Sequence, residues 1–492
     1  MNLLTDPWIP VQQNSEFKLI TLQSILCHED CGEIALSRDD MELACLQLLI
    51  CLVQVLFLPE NGKTLKQRIV KPLTEGEYNA GIKDYIDWFD LTHPDTPFMQ
   101  IRGVKAAKPT PIQKLFIGMP EGNNHAFFNN AGDIRGISKS AAAIVLFNQA
   151  MNSPSFGGGF KGGFRGGAPI TTLLAGDSLR QTIWFNILHK ESVIELLPNY
   201  EHLAKNDKPV WVEPIKEKSK ISVSEIGLLR GLFWQPAHIE LEFNEDSHFC
   251  EFYGIKTSSP VICCFNKEKF VYEIIGDWIH PHSPRIIDIK KHTTRYRSFT
   301  TTAPAWTQLN HFVIQSDSKK ENYRVASVVR QFSALTSDIK DITPQLIVGG
   351  YRNKQASILQ RRHELFPLNS GWESNSNHFE ELINQAVEIK KLLRNKLYGF
   401  AQASGAEGVP DRAERLFYHN SEKIILDSLR NIDWRKSAET IKQLKRQLIK
   451  LSWNIVDEVT RPYQHEAKMI KALTITRKTL AGGFSKLTGE AG

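Results

Sequence analysis

A glycine-rich segment near residue 160 is the part of the sequence best suited to close contact with a ligand. Residues 153–167 read SPSFGGGFKGGFRGG. Glycine has no Cβ atom and adopts positive φ without strain, so its backbone can approach a ligand closely. Aromatic residues recur at every fourth position, at Phe156, Phe160 and Phe164. Because anchored rings favour a fixed shape, we predict an ordered loop that meets a ligand, and not a floppy connection.

Two positive charges, Lys161 and Arg165, are predicted to lie beside this glycine backbone. Residues 157–162 match the G-x-G-x-x-G pattern, but in dinucleotide-binding proteins that pattern follows a strand and opens a helix. Here a helix-like stretch precedes the glycines and Pro169 follows them. The segment also contains no Gly-Lys-Ser/Thr of a phosphate-binding loop. A nucleotide- or phosphate-dependent enzyme built on this loop is kept as the alternative function.

The histidines and cysteines do not form the pattern of a metal site. His280 and His282 flank a proline and His238 precedes Glu240 by two positions, whereas a metal needs three or four converging ligands. The seven cysteines contain no C-x-x-C pair. Signatures of serine, cysteine and zinc hydrolases are not found. We therefore predict no catalytic residue, no metal and no cofactor.

Composition and charge limit the classes of function. Hydrophobic residues make up 41% of the chain and charged residues 23%, as in soluble globular proteins. The formal net charge is only +6, so binding to nucleic acid requires local clusters of basic residues. The start of the chain lacks the pattern of a secretory leader, which predicts reduced thiols in a cytoplasm. The apolar stretch Leu43–Leu58 is interrupted by glutamines and predicts a buried helix, not a membrane span.

Basic clusters occur at predicted loops and along one predicted helix. Residues 266–269 are predicted to form a hairpin loop between strands at 261–265 and 270–275, with Lys267 and Lys269 at its tip. The other clusters are Lys290, Lys291, His292, Arg295 and Arg297; Arg352, Lys354, Arg361 and Arg362; and Lys442, Lys445, Arg446 and Lys450. A single cluster is typical of a solvated face, but several at loop tips favour a path for nucleic-acid phosphates.

The pattern of elements changes along the chain. The middle third shows short strand-like stretches, whereas four stripes of apolar residues with helical spacing follow residue 371. Breakers at 405–410, 431–433 and Pro462 separate these stripes. The prediction is an α+β protein with a large mixed α/β domain over residues 1–370 and a C-terminal four-helix bundle over residues 371–492.

Six sequence blocks resemble a known family, the large subunit of the type I-E CRISPR surveillance complex, Cascade. They are NLL with WIP (2–10), SRDDMEL (37–43), PFMQ (97–100), FGGGFK (156–161), RGLFWQPAHIE (230–240) and GGYRNKQASIL (349–359). The blocks are ordered along nearly the whole chain, and the last three are long and specific. The resemblance implies a non-catalytic subunit with an α/β domain and a four-helix bundle.

In this family, the large subunit checks a short motif beside the target, the PAM, in duplex DNA. It reads the PAM from the minor groove, starts strand separation and presents the opened DNA to a separate helicase-nuclease. The implied partners are therefore double-stranded target DNA, the CRISPR guide RNA, the other Cascade subunits and that helicase-nuclease. The implied location is a prokaryotic cytoplasm.

The resemblance also assigns roles to particular residues. The assigned PAM-contacting residues are the glycine loop (Gly157, Gly158 and Gly159, with Lys161 beside it), a lysine at a hairpin tip (Lys269) and a glutamine wedge (Gln355, with Lys354 and Ala356). Lys354 stands where a relative has Asn, so a shifted PAM preference is expected. Lys290 and Lys291 match a basic pair that follows the displaced strand.

Two further contacts are predicted. Phe127, Phe128 and Asn129 match a loop that contacts the 5′ handle of the guide RNA, where an aromatic ring can stack on an unpaired base. The last basic cluster (Lys442, Lys445, Arg446 and Lys450) is a candidate for phosphates of the target or displaced strand. For this cluster, a solvated face of the bundle is an equally good interpretation. Relatives with cysteine pairs bind zinc, but this chain lacks those pairs, so no zinc is expected.

Overall fold

The computed structural model describes residues 1–29, 31–119, 132–336, 344–465 and 467–489. In these residues, the α-helices are α1 (Leu22–Cys27), α2 (Asp39–Leu56), α3 (Gly62–Val70), α4 (Glu75–Ile82), α5 (Lys139–Asn152), α6 (Leu179–Phe185), α7 (Lys190–Leu196), α8 (Tyr200–Leu203), α9 (Leu228–Leu232), α10 (Asn310–Val313), α11 (Ser327–Thr336), α12 (Ser376–Ser404), α13 (Val409–Asn431), α14 (Ser437–Thr460) and α15 (Ala467–Thr488).

The strands of the same residues are short and form several small sheets. They are β1 (Ile9–Gln13), β2 (Glu16–Ile20), β3 (Glu33–Ile34), β4 (Thr110–Pro111), β5 (Thr171–Ala175), β6 (Ser219–Ser222), β7 (His238–Asn244), β8 (Phe249–Cys250), β9 (Ile255–Lys256), β10 (Val261–Glu268), β11 (Tyr272–Ile275), β12 (Arg285–Asp288), β13 (Thr293–Tyr296), β14 (Ser316–Asp317), β15 (Glu321–Arg324), β16 (Gln345–Lys354) and β17 (Ser357–Pro367). Neighbouring strands follow the orders β2-β1-β3, β4-β10-β7, β11-β6, β13-β12-β15-β14, β17-β16-β5 and β8-β9.

The chain divides into two compact units. The first contains Met1–Thr301 and Leu346–Leu365, and the second contains Thr302–Ile314 and Phe366–Gly492. The segment Thr302–Ile314, which lies within residues 1–370, thus belongs with the bundle. Its Trp306 is fully buried and packs edge-on against Tyr418 of α13, with ring centroids 6.1 Å apart.

The core of the first unit is built around α2, which confirms the predicted buried helix. Asp39, Asp40 and Glu42 occupy its first turn, where negative charge favours the helix dipole. Nearly every later residue of α2 is buried, and the helix packs against α5, which is buried along its whole length. A helix that is apolar on all sides requires such enclosure.

The second unit contains the predicted bundle helices, α12 to α15, and the α+β fold class is confirmed. Each helix buries one stripe at helical spacing, as Leu444, Leu448 and Ile455 of α14 show. The stripe predicted for the fourth helix, α15, was Met469, Leu473, Ile475 and Leu480, and it was partly wrong. Ile475 is 54% exposed, and Thr476 takes the buried position instead. The angular position on the helix decides burial here, because Thr476 continues the stripe toward Leu480.

The predicted hairpin at residues 266–269 is wrong. Strand β10 continues through Glu268, because β7 supplies antiparallel partners as far as the pair Glu268 and His238. After a short connection that contains Lys269, β11 pairs in parallel with β6 and not with β10. Lys269 therefore follows the end of a strand held in a three-stranded sheet.

None of the described helices is both long enough and apolar enough to cross a membrane.

Candidate nucleic-acid interface

Three segments that are far apart in sequence meet at the glycine loop, Gly157–Gly159. The Lys269 ammonium donates a hydrogen bond to the carbonyl oxygen of Gly158 at 3.3 Å, across 111 positions of sequence. The position that a Cβ atom would take on Gly157 lies 3.7 Å from the Cβ atom of Ala356. The structure thus brings together the glycine, lysine and glutamine segments to which the family resemblance assigns one contact surface.

The backbone of the glycine loop requires glycine at all three positions. The φ angles of Gly157, Gly158 and Gly159 are 78°, 54° and 88°, in the left-handed region that side chains disfavour. The amide of Gly157 donates to the Ser155 hydroxyl, and the amide of Phe160 donates to the Gly157 carbonyl. The space around a Cβ position on Gly158 is open to 4 Å. The exposed backbone therefore forms a ridge without side chains.

Aromatic rings fix the ends of this loop, as predicted. Phe156 lies edge-on to Phe160 with ring centroids 5.5 Å apart and also packs against buried Phe265 of β10. The Lys267 ammonium lies 5.0 Å from the centroid of the Phe156 ring, within cation–π distance. Lys267 belonged to a predicted basic cluster but not to the predicted site residues. Lys267 and Phe265 lie two positions apart in one strand, so their side chains share a face of that strand. This spacing could have indicated from sequence that Lys267 lies near the aromatic rings.

Arg165 does not lie beside the loop as an exposed charge, so that prediction is wrong. Its side chain is buried, and its guanidinium donates to Thr171, Ser283 and Asn152 at 2.6–2.8 Å. Burial lowers the pKa of Arg165 to about 10. The guanidinium supplies hydrogen bonds to the buried polar side chains beneath the glycine-rich segment, and these bonds fix that segment to the core. Lys161, in contrast, is exposed, and its ammonium lies 5.5 Å from the centroid of the Tyr272 ring.

The wedge residues form the tip of a β-hairpin. Gln355 and Ala356 connect β16 to β17, and both are exposed, as is Lys354. Gln355 has a φ of 55°, and its carbonyl oxygen accepts a 2.6 Å hydrogen bond from the Asn353 side chain. The Gln355 amide is therefore carried on a rigid turn whose side chains face solvent.

Two adjacent glycines before a polar tip predict, from sequence, a flexible hairpin end. That prediction is wrong for this tip. Gly349 and Gly350 are buried within β16, where a Cβ atom would clash with Leu43 or with the Pro169 carbonyl. Close packing of the strand against its neighbours explains the need for glycine. The next residue, Tyr351, is buried and donates to Asp40 at 2.9 Å. These contacts hold the base of the hairpin against α2.

Lys290 and Lys291 lie at the tip of a second hairpin, between β12 and β13. Both side chains are exposed. Their backbone amides donate to one carboxylate oxygen of Asp288 at 3.0 Å, and these bonds lower the pKa of Asp288, with the bond from Lys291 the larger cause. His292 completes the turn with a φ of 50°. The turn therefore presents two adjacent cations in a fixed backbone geometry.

The basic cluster of α14 has two kinds of member. Lys442, Arg446 and Lys450 are exposed and lie one turn apart along the helix. Lys445 is half-buried, and its ammonium donates to the Leu487 carbonyl near the end of α15, at 3.3 Å. A cation is favourable at that helix terminus. Lys445 therefore has a structural partner within the bundle.

Other predicted residues fall into two groups. Phe127, Phe128 and Asn129 lie outside the described residues.

His280 and His282 are completely buried. Burial is the larger cause that lowers the pKa of both rings, and the positive charge of Arg165 lowers it further; the pKa of His282 falls to about 3. No group of three or more His, Cys, Asp or Glu side chains is arranged to hold a metal ion in the residues that the structure describes. These histidines therefore act as neutral core residues.

The fold is shared with Cse1 proteins of solved structure. Thermobifida fusca Cse1 superposes with a TM-score of 0.78 at 16% identity, covering 100% of this chain and 99% of that one. A chain of a solved CRISPR RNA-guided surveillance complex gives 0.73 at 14% identity, covering 98% and 99%. A curated CasA/Cse1 protein of Thermus thermophilus is 22% identical over 440 residues, which are 84% of this chain and 79% of that protein.

The family follows from a match to the sequence itself. Residues 2–455 match the model of the CRISPR-associated protein Cse1 family. The chain belongs to this family, and the resemblance to the large subunit of type I-E Cascade is confirmed.

Proposed function

We propose that this chain is the PAM-reading subunit of a type I-E Cascade complex in a prokaryotic cytoplasm. It recognises the PAM in duplex DNA from the minor groove, starts strand separation and helps to recruit a helicase-nuclease. Its partners are target DNA, the guide RNA and the other Cascade subunits, and it performs no catalysis itself. The observation that supports this most is the convergence of Lys269 and Ala356 on the glycine loop.

The glycine loop suits the dimensions of the minor groove. That groove is about 6 Å wide in B-DNA and displays a degenerate pattern of hydrogen-bonding groups. A ridge without side chains at Gly158 can enter it, while an added Cβ atom would project into the open space that the DNA needs. Such a contact detects groups that protrude into the groove by steric exclusion. We therefore expect several PAM sequences to be accepted.

Lys269 and Gln355 provide different chemistry at this surface. Lys269 is exposed, and its ammonium at the glycine loop adds a charge that can contact a phosphate or a base edge. Gln355 is neutral and stands on a rigid turn, so it is suited to enter between base pairs. Separating a base step costs a few kcal/mol. The pair thus divides initial binding from strand opening.

The second hairpin and the bundle extend the proposed contact to other strands. Lys290 and Lys291 present two cations that suit the phosphates of the displaced strand. Lys442, Arg446 and Lys450 of α14 suit phosphates of either DNA strand. Phe127, Phe128 and Asn129 are assigned to the guide RNA by the family resemblance alone.

A PAM-library binding screen with the assembled complex tests the proposal. A restricted but degenerate set of enriched motifs is expected, and binding should weaken as the salt concentration rises. Enrichment of no motif would contradict PAM recognition. The alternative, a nucleotide-dependent enzyme, predicts that the isolated chain binds a nucleotide in solution. Nucleotide binding that Gly158→Arg abolishes, without PAM preference in the complex, would favour that alternative.

A further inference from the structure

A buried network of hydrogen bonds connects the glycine-rich segment to the hairpin that β16 and β17 form. The Arg165 guanidinium donates to the Asn152 side chain at 2.6 Å, and the Asn152 amide donates to Asn148 at 2.9 Å. Asn148 in turn donates to the Tyr351 hydroxyl, and that hydroxyl donates to the Asp40 carboxylate, both at 2.9 Å. Because Tyr351 belongs to β16, the network joins two parts of the proposed PAM surface through the core.

The four bonds of this network all run in one direction, from a cation to an anion. In each bond the donor belongs to the residue nearer Arg165, and the last acceptor is the Asp40 carboxylate. Hydrogen bonds arranged in a row polarise one another and become stronger. Burial, followed by the charge of Asp40, raises the pKa of Tyr351 well above its ordinary value, so the hydroxyl keeps the proton that it donates.

The side chains of the buried network suit the fixing of a geometry. None of the five residues is more than 7% exposed. A buried polar side chain costs free energy unless it is hydrogen-bonded, and well-packed apolar side chains often fill the same space as favourably. A fully bonded network, in contrast, specifies one arrangement of the segments that it joins. We therefore looked for its role in the placement of those segments.

Asp40 binds both strands of the hairpin to α2. Tyr351 reaches one carboxylate oxygen from β16, and Arg361 of β17 donates to the other oxygen at 3.2 Å. Arg38 also donates to Asp40 through two nitrogen atoms, at 2.7 and 2.9 Å. The hairpin therefore cannot slide along its own axis without breaking bonds to Asp40.

The spacing of base pairs in DNA sets the precision that this placement needs. Successive base pairs are stacked about 3.4 Å apart. A glutamine wedge displaced by that distance would enter a step other than the one beside the PAM. Tyr351 precedes the hairpin tip in β16, and Arg165 follows the glycine loop in the glycine-rich segment. The buried network therefore holds both contact elements close to where they leave the core.

We propose that Asn148 is a positioning residue, which holds the glycine loop and the glutamine wedge at a fixed separation, so that the wedge enters at the base step next to the PAM. Asn148 is the central member of the network, since it bonds the glycine side through Asn152 and the hairpin side through Tyr351. The inference rests on the proposed function, because it needs a PAM contact and a strand-opening wedge on one surface.

The test measures R-loop formation by the assembled, guide-loaded complex. Asn148→Leu cuts the network in the middle. Tyr351 keeps its bond to Asp40, and Asn152 keeps its bond to the guanidinium. On linear DNA, this variant should form R-loops about tenfold more slowly, because the misplaced wedge no longer offsets the cost of unstacking. Binding to a PAM-bearing duplex that cannot pair with the guide should stay within about twofold of wild type, because this binding needs no strand opening.

Two further measurements distinguish misplacement of the wedge from a general loss of stability. A target with unpaired strands beside the PAM needs no wedge, so it should restore the rate of Asn148→Leu to within about twofold of wild type. In a double-mutant cycle, Gln355→Ala should slow wild type about tenfold but the Asn148→Leu variant less than about twofold, because a misplaced wedge has little left to lose.

A second variant covers the risk that Asn148→Leu disturbs folding. Tyr351→Phe removes only the hydroxyl at the hairpin side of the network and should give the same results. The matched control is Tyr78→Phe, because Tyr78 is equally buried and its hydroxyl donates to the Leu4 carbonyl at 2.6 Å, outside the network. The control should form R-loops at the wild-type rate, and Gln355→Ala should still slow it about tenfold.

The failures of the two proposals differ. If Gln355→Ala slows the wild-type complex but both network variants form R-loops at the wild-type rate, the positioning role is wrong and the proposed function stands. The positioning role is also wrong if Gln355→Ala slows these variants as much as wild type, or if the unpaired target does not restore their rate. Failure of both variants to enter the complex would mean that the network serves folding alone.

If the wild-type complex forms no PAM-dependent R-loop, or if Gln355→Ala does not slow it, the proposed function fails at that step. The positioning role of Asn148 then fails with it.

Discussion

The glycine loop and the basic face of α14 are both proposed to contact nucleic acid, but they are built differently. The loop surface is assembled from three segments, with Lys269 and Ala356 reaching Gly157–Gly159 from distant parts of the chain. The cations of α14 follow one another along a single helix. An assembled surface has a specific shape, whereas a helix face repeats one charge at regular intervals. The first suits recognition, and the second suits binding that is independent of sequence.

The largest effect is expected at the glycine loop. Gly158→Arg should weaken PAM-dependent binding by the assembled complex at least about 100-fold, because a long side chain occupies the space that the groove needs. Complex assembly should be unaffected. The measurement is equilibrium binding to PAM-bearing duplex at physiological salt.

Gly103→Arg is the matched control for this variant. Gly103 has a φ of 75° and open space around its Cβ position, so it carries similar backbone strain. It is not among the proposed DNA contacts, and binding should stay within about twofold of wild type. If Gly103→Arg and Gly158→Arg weaken binding equally, backbone strain and not groove contact explains the loss.

Within the same surface, Lys269→Ala and Gln355→Ala should separate binding from opening. Lys269→Ala should weaken initial binding about tenfold and reduce its salt dependence, because a cation is lost. Gln355→Ala should spare initial binding and slow R-loop formation about tenfold on linear DNA. Negative supercoiling lowers the cost of opening and should partly rescue Gln355→Ala.

This division is measured with two substrates. The first is a PAM-bearing duplex that cannot pair with the guide, and the second is a matched target in linear and supercoiled form. Lys105→Ala, at an exposed lysine outside the proposed surface, serves as the control for loss of charge. Identical behaviour of Lys269→Ala and Gln355→Ala on both substrates would refute the division of roles.

A smaller and uniform effect is expected for the basic face of α14. Replacing Lys442, Lys445, Arg446 and Lys450 by Gln should weaken binding about threefold for every PAM at physiological salt. The slope of log affinity against log salt should fall by up to about 0.9 for each phosphate contact that is lost. Lys445 should contribute least, because its ammonium already bonds the Leu487 carbonyl.

The control removes the same charge from the other bundle helices, through Lys391, Arg415, Lys471 and Lys478, all of them exposed. An equal change in slope for the two quadruple variants would show that net charge matters and the α14 face does not. An unchanged slope for the α14 variant would make these residues a solvated face.

No effect on DNA binding at pH 7 is expected from the core beneath the glycine-rich segment, but the stability of this core should depend on pH. His280 and His282 are buried, and their lowered pKa keeps them neutral in the folded chain. In the unfolded chain they take up protons below about pH 6.5. Stability should therefore fall as the pH drops below that value, by about 1.4 kcal/mol per pH unit for each ring.

Urea unfolding at pH 7.0 and 5.5 measures this dependence, with an expected loss of about 2–3 kcal/mol. His282→Asn should remove about half of it. The described part of the bundle buries no histidine, so its core should not share this response to acid. A pH dependence that His282→Asn leaves intact would assign the effect to other groups.

Elements that depend on neighbouring residues were predicted correctly from sequence, whereas an element that depends on pairing with a distant strand was not. The periodic apolar stripes of α12 to α14 predicted these helices correctly, because one stripe at helical spacing specifies one buried face. The hairpin at residues 266–269 was wrongly predicted, because β7 extends the strand to Glu268 through pairing that local sequence does not reveal. Strand pairing within the sheet therefore outweighed the local preference of residues 266–269 for a turn.

The candidate site shows the same limit. The types and spacing of Gly157–Gly159 and Phe156 indicated an ordered loop without side chains, since both properties are local. The sequence could not decide which of two neighbouring cations stays exposed: Lys161 does, whereas Arg165 is buried and bonded to Asn152. Burial of a charge depends on polar partners that only the folded chain supplies.

Sequence alone therefore determined the buried helix α2, the bundle helices, the ordered glycine loop and, through its motifs, the family. Tertiary structure decided that Lys269 and Ala356 reach the glycine loop, that Gly349 and Gly350 are packed and not flexible, and that Arg165 belongs to the core. The physical reason is the separation along the chain of the residues that interact. Backbone freedom and periodicity are properties of neighbouring residues, whereas contact and burial depend on which distant segments the folded chain brings together.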